Sequence, residues 1–148
     1  MPISKEVTTW TYNVPIPDNI RSEDKTKFLE EVGQYLVDSM LDKIGDGMSP
    51  VKGNGKFQLL KKDYAESEHG GERKPILDAH GDMLQALTYK IVGNSLEIGI
   101  FDSEQAIKSY NHNVGDTLPK RQFIPNEGET LKADIMRGIG GITDEYIY

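Results

Sequence analysis

Three residues of this chain, Asp78, His80 and His112, have side chains that could do chemistry together. Carboxylates and imidazoles that converge can hold a divalent metal ion, so a metal-dependent hydrolase that uses these three residues is one hypothesis. Their spacing matches no metal-ligand signature, and the chain has no Gly-x-Ser-x-Gly, Walker or dinucleotide motif. In the alternative interpretation, Asp78 caps a helix, the His80 imidazole bonds to the backbone, and His112 lies in a turn with its side chain satisfied. We therefore predict a protein that is not an enzyme, with no catalytic residue, metal ligand or cofactor.

The neighbouring cations Lys120 and Arg121 are the second candidate, because they precede two large apolar residues, Phe123 and Ile124. A cation in a half-buried strand needs an acidic partner, since an unpaired buried charge is costly. Arg121 suits this role better, because its planar guanidinium pairs with a carboxylate through two bonds. We predict that Arg121 is a structural or intersubunit anchor. An ion pair within the chain, or a solvated strand end, is the alternative.

The composition limits the classes of protein to consider. The 148 residues include 24 Asp and Glu against 17 Lys and Arg, a net charge of −7. This length predicts one domain, and an acidic chain gains nothing from counterion release on DNA. Without cysteine, neither a disulfide framework nor a thiolate zinc site is available. No apolar run approaches the roughly 20 residues of a membrane span, and no signal core is present, so we expect synthesis in the cytoplasm.

The elements that would position these residues begin with an extended N-terminal arm at 1–21. Trp10 and Tyr12 alternate with polar neighbours at the period of a strand, and Pro15 and Pro17 end it. Two interpretations stay open. The arm is either an edge strand of the chain's own sheet or a segment that lies on a neighbouring subunit or another protein. The second leads to an alternative function, an adaptor protein that binds its partner through this arm.

A single α+β domain is predicted at 22–141. It opens with a long helix over 22–44, capped by Ser22, whose apolar residues recur at helical spacing. A long loop at 45–75 follows. Strands over 88–92 and 96–101, joined at Gly93, form a hairpin.

The remaining elements complete the small antiparallel sheet and its helices. Pro119 and Pro125 are expected to bound a strand over 119–124, because proline cannot donate to a ladder. Asn126 and Glu129 form a capping-box pattern that predicts a last helix over about 127–137, ended by glycines. The sheet would pack against the long N-terminal helix and this C-terminal helix. Residues 142–148 form an apolar C-terminal tail expected to dock on the core or on a neighbour.

Several weak motifs in a fixed order resemble a known family. The motifs are Ile76-Leu77-x-x-x-Gly81-x-Met83-Leu84, a hairpin ending in Ile98-Gly99, Tyr110-Asn111-His112-Asn113-x-Gly115, and Pro119-Lys120-Arg121-Gln122-Phe123-Ile124. Over about 25–139 the chain looks like the phage virion morphogenesis or tail-completion family. The matching core positions are Leu77, Gly81, Leu84, Gly115, Pro119 and Phe123.

The resemblance implies a structural component of a tailed bacteriophage virion. Such proteins form rings, expected here to be hexamers, at the neck or at a tail terminator. They cap the tail tube and join it to the head through connector proteins, while DNA passes through the lumen without sequence-specific binding. The protein would be made in the host cytoplasm and be located in the virion tail or neck, with no membrane. Subunit contacts are expected at Trp10, Tyr12, Arg121, Tyr146 and Tyr148.

Overall fold

A computed structural model describes residues 9–56, 82–101 and 122–147 of the chain. Its strands and helices, in order, are β1 (Thr9–Asn13), α1 (Lys25–Gly45), α2 (Asp82–Gln85), β2 (Leu87–Val92), β3 (Ser95–Ile100) and α3 (Ala133–Glu145). A short 3₁₀ helix (Ser22–Asp24) precedes α1. The predicted α+β class, with a small antiparallel sheet against a long N-terminal helix and a C-terminal helix, is confirmed.

The hairpin formed by β2 and β3 agrees with the sequence prediction. Val92 pairs with Ser95, so Gly93 and Asn94 make the turn. Gly93 has φ 62°. Because Asn94 does not have a positive φ, the turn is type II′ rather than type I′, and its twist matches that of the strands. The local sequence is therefore sufficient to specify this pair of strands.

The third strand of the sheet is β1, and the predicted strand at 119–124 is wrong for the part of it that the structure describes. The strand order is β1-β3-β2, with both pairs antiparallel. Gln122, Phe123 and Ile124 belong to no strand, and residues 119–121 lie outside the described ranges. Phe123 and Ile124 are both 0% exposed. Because consecutive strand residues face opposite sides, two buried neighbours do not fit a strand with one open face.

Helix α1 provides the largest share of the core. Its predicted stripe is confirmed, and Gly33 and Val37 extend it. The buried residues of this helix are Phe28, Leu29, Val32, Gly33, Leu36, Val37, Met40 and Ile44. The predicted Ser22 cap is wrong, because Ser22 lies in the 3₁₀ helix and no side chain caps α1. A Cβ on Gly33 would lie 2.6 Å from the Tyr89 ring, so the absence of a side chain lets β2 approach the helix.

Helix α3 begins later and ends later than predicted. The Glu129 N–H donates to the Asn126 carbonyl at 2.9 Å, and Glu129 Oε1 accepts from the Asn126 N–H at 2.8 Å. These bonds close a turn rather than start a helix, because Gly128 has φ 84°, which is not helical. The helix then continues through Gly138 to Glu145, so the predicted glycine break is wrong, and the helix extends into the segment predicted as the C-terminal tail.

The first part of the predicted 45–75 loop packs against the segment before α3. Val51 and Leu131 form an antiparallel bridge, and both are 0% exposed. The Lys52 N–H donates to the Thr130 carbonyl, and the Lys132 N–H donates to the Pro50 carbonyl, both at 2.9 Å. Residues 57–75 lie outside the described ranges. Within those ranges, no helix has the length and apolar character to cross a membrane.

Candidate functional site

The outer face of the sheet, on the side away from α1, presents a regular array of side chains. The register places Trp10, Ile98 and Tyr89 side by side on the face toward α1. On each strand, the residues next to these inward-facing ones point to the opposite, outer face, because side chains alternate along a strand. These outer-face residues are Thr9, Thr11, Asn13, Thr88, Lys90, Val92, Ser95, Glu97 and Gly99. The face is therefore polar and rich in hydroxyls.

One row of this outer face carries opposite charges. Thr11 pairs with Glu97 on the central strand, and Glu97 pairs with Lys90 on β2. The Lys90 ammonium lies 4.1 Å from the centroid of the Phe101 ring, a cation–π contact. At the hairpin end, the Ser95 hydroxyl donates to Asn13 Oδ1 at 2.6 Å. The row of Thr11, Glu97 and Lys90 could therefore contact a partner protein through both polar and charged groups.

The backbone of β1 leaves alternate groups pointing away from the sheet. The Val14 N–H donates to the Asn94 carbonyl at 3.2 Å, which continues the β1–β3 ladder. Because the bonding direction alternates, Tyr12 also bonds toward β3, and the N–H and C=O groups of Thr11 and Asn13 point outward.

The same alternation applies at the other edge of the sheet. Val92 and Ser95 close the hairpin, so the backbone groups of Tyr89 and Ile91 point away from β3. Among the described residues no fourth strand covers either edge. Within the described ranges, the sheet therefore has two backbone edges, on opposite sides, to which a strand could be added.

The predicted contact residues of the N-terminal arm are largely used by the chain itself. Trp10 is 6% exposed and belongs to the core, and its ring stacks on Tyr12 with centroids 5.3 Å apart. Tyr12 is half-buried, and burial raises the pKa of its hydroxyl. Of the two interpretations of the arm, the structure has the edge strand. The Trp10 ring therefore keeps little exposed surface for a subunit contact.

Of the two expectations for the C-terminal tail, Tyr146 follows the one in which the tail docks on the chain's own core. Its ring packs edge-on against Phe28, with centroids 5.5 Å apart. Its hydroxyl donates to Glu31 Oε1 at 2.7 Å. Tyr148 lies outside the described residues. Tyr146 therefore anchors the end of α3 to α1.

A buried polar cluster around Gln122 was missed by the sequence analysis. Gln122 Nε2 donates to the Ile124 carbonyl at 3.0 Å and to Glu129 Oε1 at 2.7 Å. Gln122 Oε1 accepts from Asn54 Nδ2 at 3.0 Å, and the Ser49 hydroxyl donates to the Gln122 carbonyl at 2.6 Å. The Gln122 cluster, formed by these five residues, connects two segments distant in sequence. One signal in the sequence could have indicated it. Gln122 directly precedes two large apolar residues, and a glutamine that is buried with them must have all its polar atoms hydrogen-bonded.

The remaining predicted residues are only partly covered by the structure. Phe123 is in the core as expected, and Leu84 packs against the core while half-buried. Residues outside the described ranges are Leu77, Asp78, His80, Gly81, His112, Gly115, Pro119, Lys120 and Arg121. Within the described ranges, no group of His, Asp and Glu could hold a metal ion.

Comparisons with protein-family models, curated proteins and solved structures found no match.

Proposed function

We propose that this protein is a structural component of a tailed bacteriophage virion, a ring-forming tail-completion or neck protein at the head–tail junction. The observation that carries the proposal is the ordered set of motifs between Ile76 and Ile124, which resembles that family in sequence. In this role the ring caps the tail tube and joins it to the head, and the protein has no catalytic activity. The partners are further copies of the chain, the tail tube and connector proteins.

The two edges of the sheet support assembly into a ring. A strand added at β1 would bond to the outward groups of Thr11, and one added at β2 would bond to those of Tyr89 and Ile91. When β1 of one subunit pairs with β2 of the next, the contact is heterologous, and it generates a ring if the rotation closes. Main-chain bonds supply affinity in such pairing. The charges of Glu97 and Lys90 on the outer face would help to fix the alignment of the paired strands of neighbouring subunits.

The charge of the chain fits passage of DNA through a ring. A net charge of −7 per subunit gives a surface that repels phosphate, so DNA would slide without binding. The acidic residues distributed along α1 include Glu30, Asp38 and Asp42. In the proposed role the ring is therefore a channel for DNA rather than a nucleic-acid-binding protein.

A proline substitution at the β1 edge tests the ring contact while sparing the fold. Thr11→Pro removes an N–H that points away from β3, and proline is tolerated on edge strands for this reason. We expect T11P to remain folded by circular dichroism but to lose association with tails and the higher-mass species in light scattering. Thr11→Val is the matched control, since it changes the side chain and keeps the N–H.

Two results would contradict the proposal. One is a wild-type chain that is monomeric both free and on purified virions, seen by light scattering and particle imaging. The other is a wild-type chain absent from virions altogether. Normal assembly of T11P would instead reject the β1 edge as the contact, and the ring would then use another surface.

A further inference from the structure

The Asn54–Gly55 dipeptide lies in the segment that packs against the Gln122 cluster. Asn followed by Gly is the sequence in which a backbone nitrogen reaches the Asn side chain with the least steric hindrance, because Gly has no Cβ. Gly55 is exposed, and no atom lies within 4 Å of the position that a Cβ would occupy. Its carbonyl accepts from the Ser49 N–H at 3.0 Å, which leaves its own N–H outside that bond. The Gly55 nitrogen therefore has no side chain on its own residue, and no neighbouring atom at the Cβ position, to hinder the attack.

We propose that Asn54–Gly55 is a modification site at which the Asn54 amide converts to a carboxylate without an enzyme. The deprotonated Gly55 nitrogen attacks Asn54 Cγ, and the new C–N bond closes a succinimide ring. The bond from Cγ to the side-chain nitrogen breaks, and that nitrogen leaves as ammonia with the transferred proton. Water then opens the ring and gives aspartate or isoaspartate. Water is the only co-reactant, and no atom is oxidised or reduced.

The change would remove the donor on which Gln122 depends. Asn54 Nδ2 donates to Gln122 Oε1 at 3.0 Å, whereas a carboxylate at this position only accepts. Turning the Gln122 amide over does not repair the contact, because Nε2 already serves the Ile124 carbonyl and Glu129 Oε1. Either orientation then places two acceptors against each other. The carboxylate also adds a negative charge to a cluster that already contains Glu129.

The expected consequence is a looser contact between residues 48–56 and 122–132. The Gln122 cluster holds these segments together beside the bonds from Lys52 to Thr130 and from Lys132 to Pro50. Isoaspartate would further lengthen the backbone at residue 54. Conversion thus acts as a slow, irreversible change in the packing that precedes α3.

The chemistry is tested by incubating the folded full-length chain at mildly alkaline pH and mapping acid formation by peptide mass spectrometry. We expect acid to accumulate at Asn54 faster than at Asn94, which is exposed but followed by Ser95. Gly55→Ala is expected to slow formation of the product at residue 54 to a rate like that at Asn94, and Asn54→Gln is expected to remove the product. If the chain in urea converts at Asn54 while the folded chain does not, the Gln122 contact prevents the reaction and the proposal is wrong.

The structural consequence is tested by hydrogen exchange on Asn54→Asp, with Asn94→Asp as the control of equal charge. We expect faster exchange of the Lys52 and Lys132 amides in N54D only. If N54D does not fold, wild-type protein is incubated until Asn54 has converted, the acid form is separated by charge, and hydrogen exchange is measured on that form. Unchanged protection of both amides in the converted chain would overturn the proposed loosening.

Discussion

The Tyr146 hydroxyl donates a 2.7 Å hydrogen bond to Glu31 Oε1, and so ties the end of α3 to α1. The two residues are 115 positions apart in the chain. The Tyr146 ring packs against Phe28 on the same helix. One side chain therefore joins apolar packing and a charged acceptor at a chain end that the sequence analysis interpreted as a tail.

Tyr146→Phe is expected to lower the free energy of unfolding by about 2 kcal/mol, because it removes a hydrogen bond to a charged acceptor. The ring and its contact with Phe28 are retained. Glu31→Gln is the matched control, since its amide oxygen can still accept the bond, and we expect a smaller loss. Urea titration followed by circular dichroism measures both. A loss in E31Q equal to or greater than that in Y146F would contradict this account.

The same contact predicts a dependence of stability on alkaline pH. The hydrogen bond to Glu31, then burial, then the charges of Glu31, Glu145 and Asp24 raise the pKa of Tyr146 to about 12. In the unfolded chain the phenol titrates near its ordinary pKa of about 10. Because the pKa is higher in the folded state, this stabilisation is complete below pH ~10 and is lost as the pH rises toward ~12.

Comparison of wild type with Y146F isolates this effect, because the other tyrosines are present in both chains. We expect the difference in unfolding free energy between them to be constant at neutral pH and to shrink at alkaline pH. Urea titrations at a series of pH values give this difference. If the difference in unfolding free energy stayed constant up to the pKa of Tyr146 in the folded chain, Tyr146 would have the same pKa in the folded and unfolded states.

The glycines of α3 are expected to respond in opposite directions to alanine. A Cβ on Gly138 would collide with the Tyr35 hydroxyl, which donates to the Ile135 carbonyl at 2.7 Å. We expect Gly138→Ala to destabilise the fold by about 1–3 kcal/mol through overpacking. Gly140 has no atom within 4 Å of a Cβ position, so Gly140→Ala should stabilise it by up to about 1 kcal/mol through helix propensity. Thermal unfolding that shifts the melting temperature in the same direction in both variants would contradict the packing of α3 on α1.

Trp10→Ala is expected to destabilise the isolated chain by about 3–5 kcal/mol, as for other large aromatic side chains in a core. Trp10 is 6% exposed, whereas its neighbour Thr11 is exposed. Thr11→Ala is therefore the control, with an expected change within about 0.5 kcal/mol. Urea titration of the monomeric chain is the measurement. Equal stabilities of W10A and T11A would restore the interpretation of this segment as an arm that packs on a partner.

The elements that the sequence predicted best are those specified by neighbouring residues. The core stripe of α1 repeats at helical spacing, and Gly93 provides the positive φ of the hairpin turn. Both signals lie within a few residues of the structure that they specify. Their physical origin is the apolar stripe of one helix face and the twist of a type II′ turn, and both can be recognised from neighbouring residues without knowing what packs against them.

The third strand and the start of α3 were misplaced because each depends on distant residues. The strand at β1 and the segment at Phe123 both contain large apolar residues, and only pairing with β3 distinguishes them. The capping-box pair Asn126 and Glu129 forms its side-chain bond, but Gly128 and the cluster around Gln122 turn the chain instead of starting a helix.

By itself the sequence determined the α+β class, the hairpin, the long amphipathic helix, the acidic charge and the motif order on which the proposed virion role rests. Tertiary structure alone decided which face each aromatic side chain uses. The sequence left open whether Trp10 and Tyr146 pack on the chain itself or on a partner, and both lie in the core, while a polar residue, Gln122, is buried among apolar neighbours. The reason is that burial is decided by the partners brought together across the fold, and hydrogen-bond partners 68 positions apart, such as Asn54 and Gln122, have no local pattern.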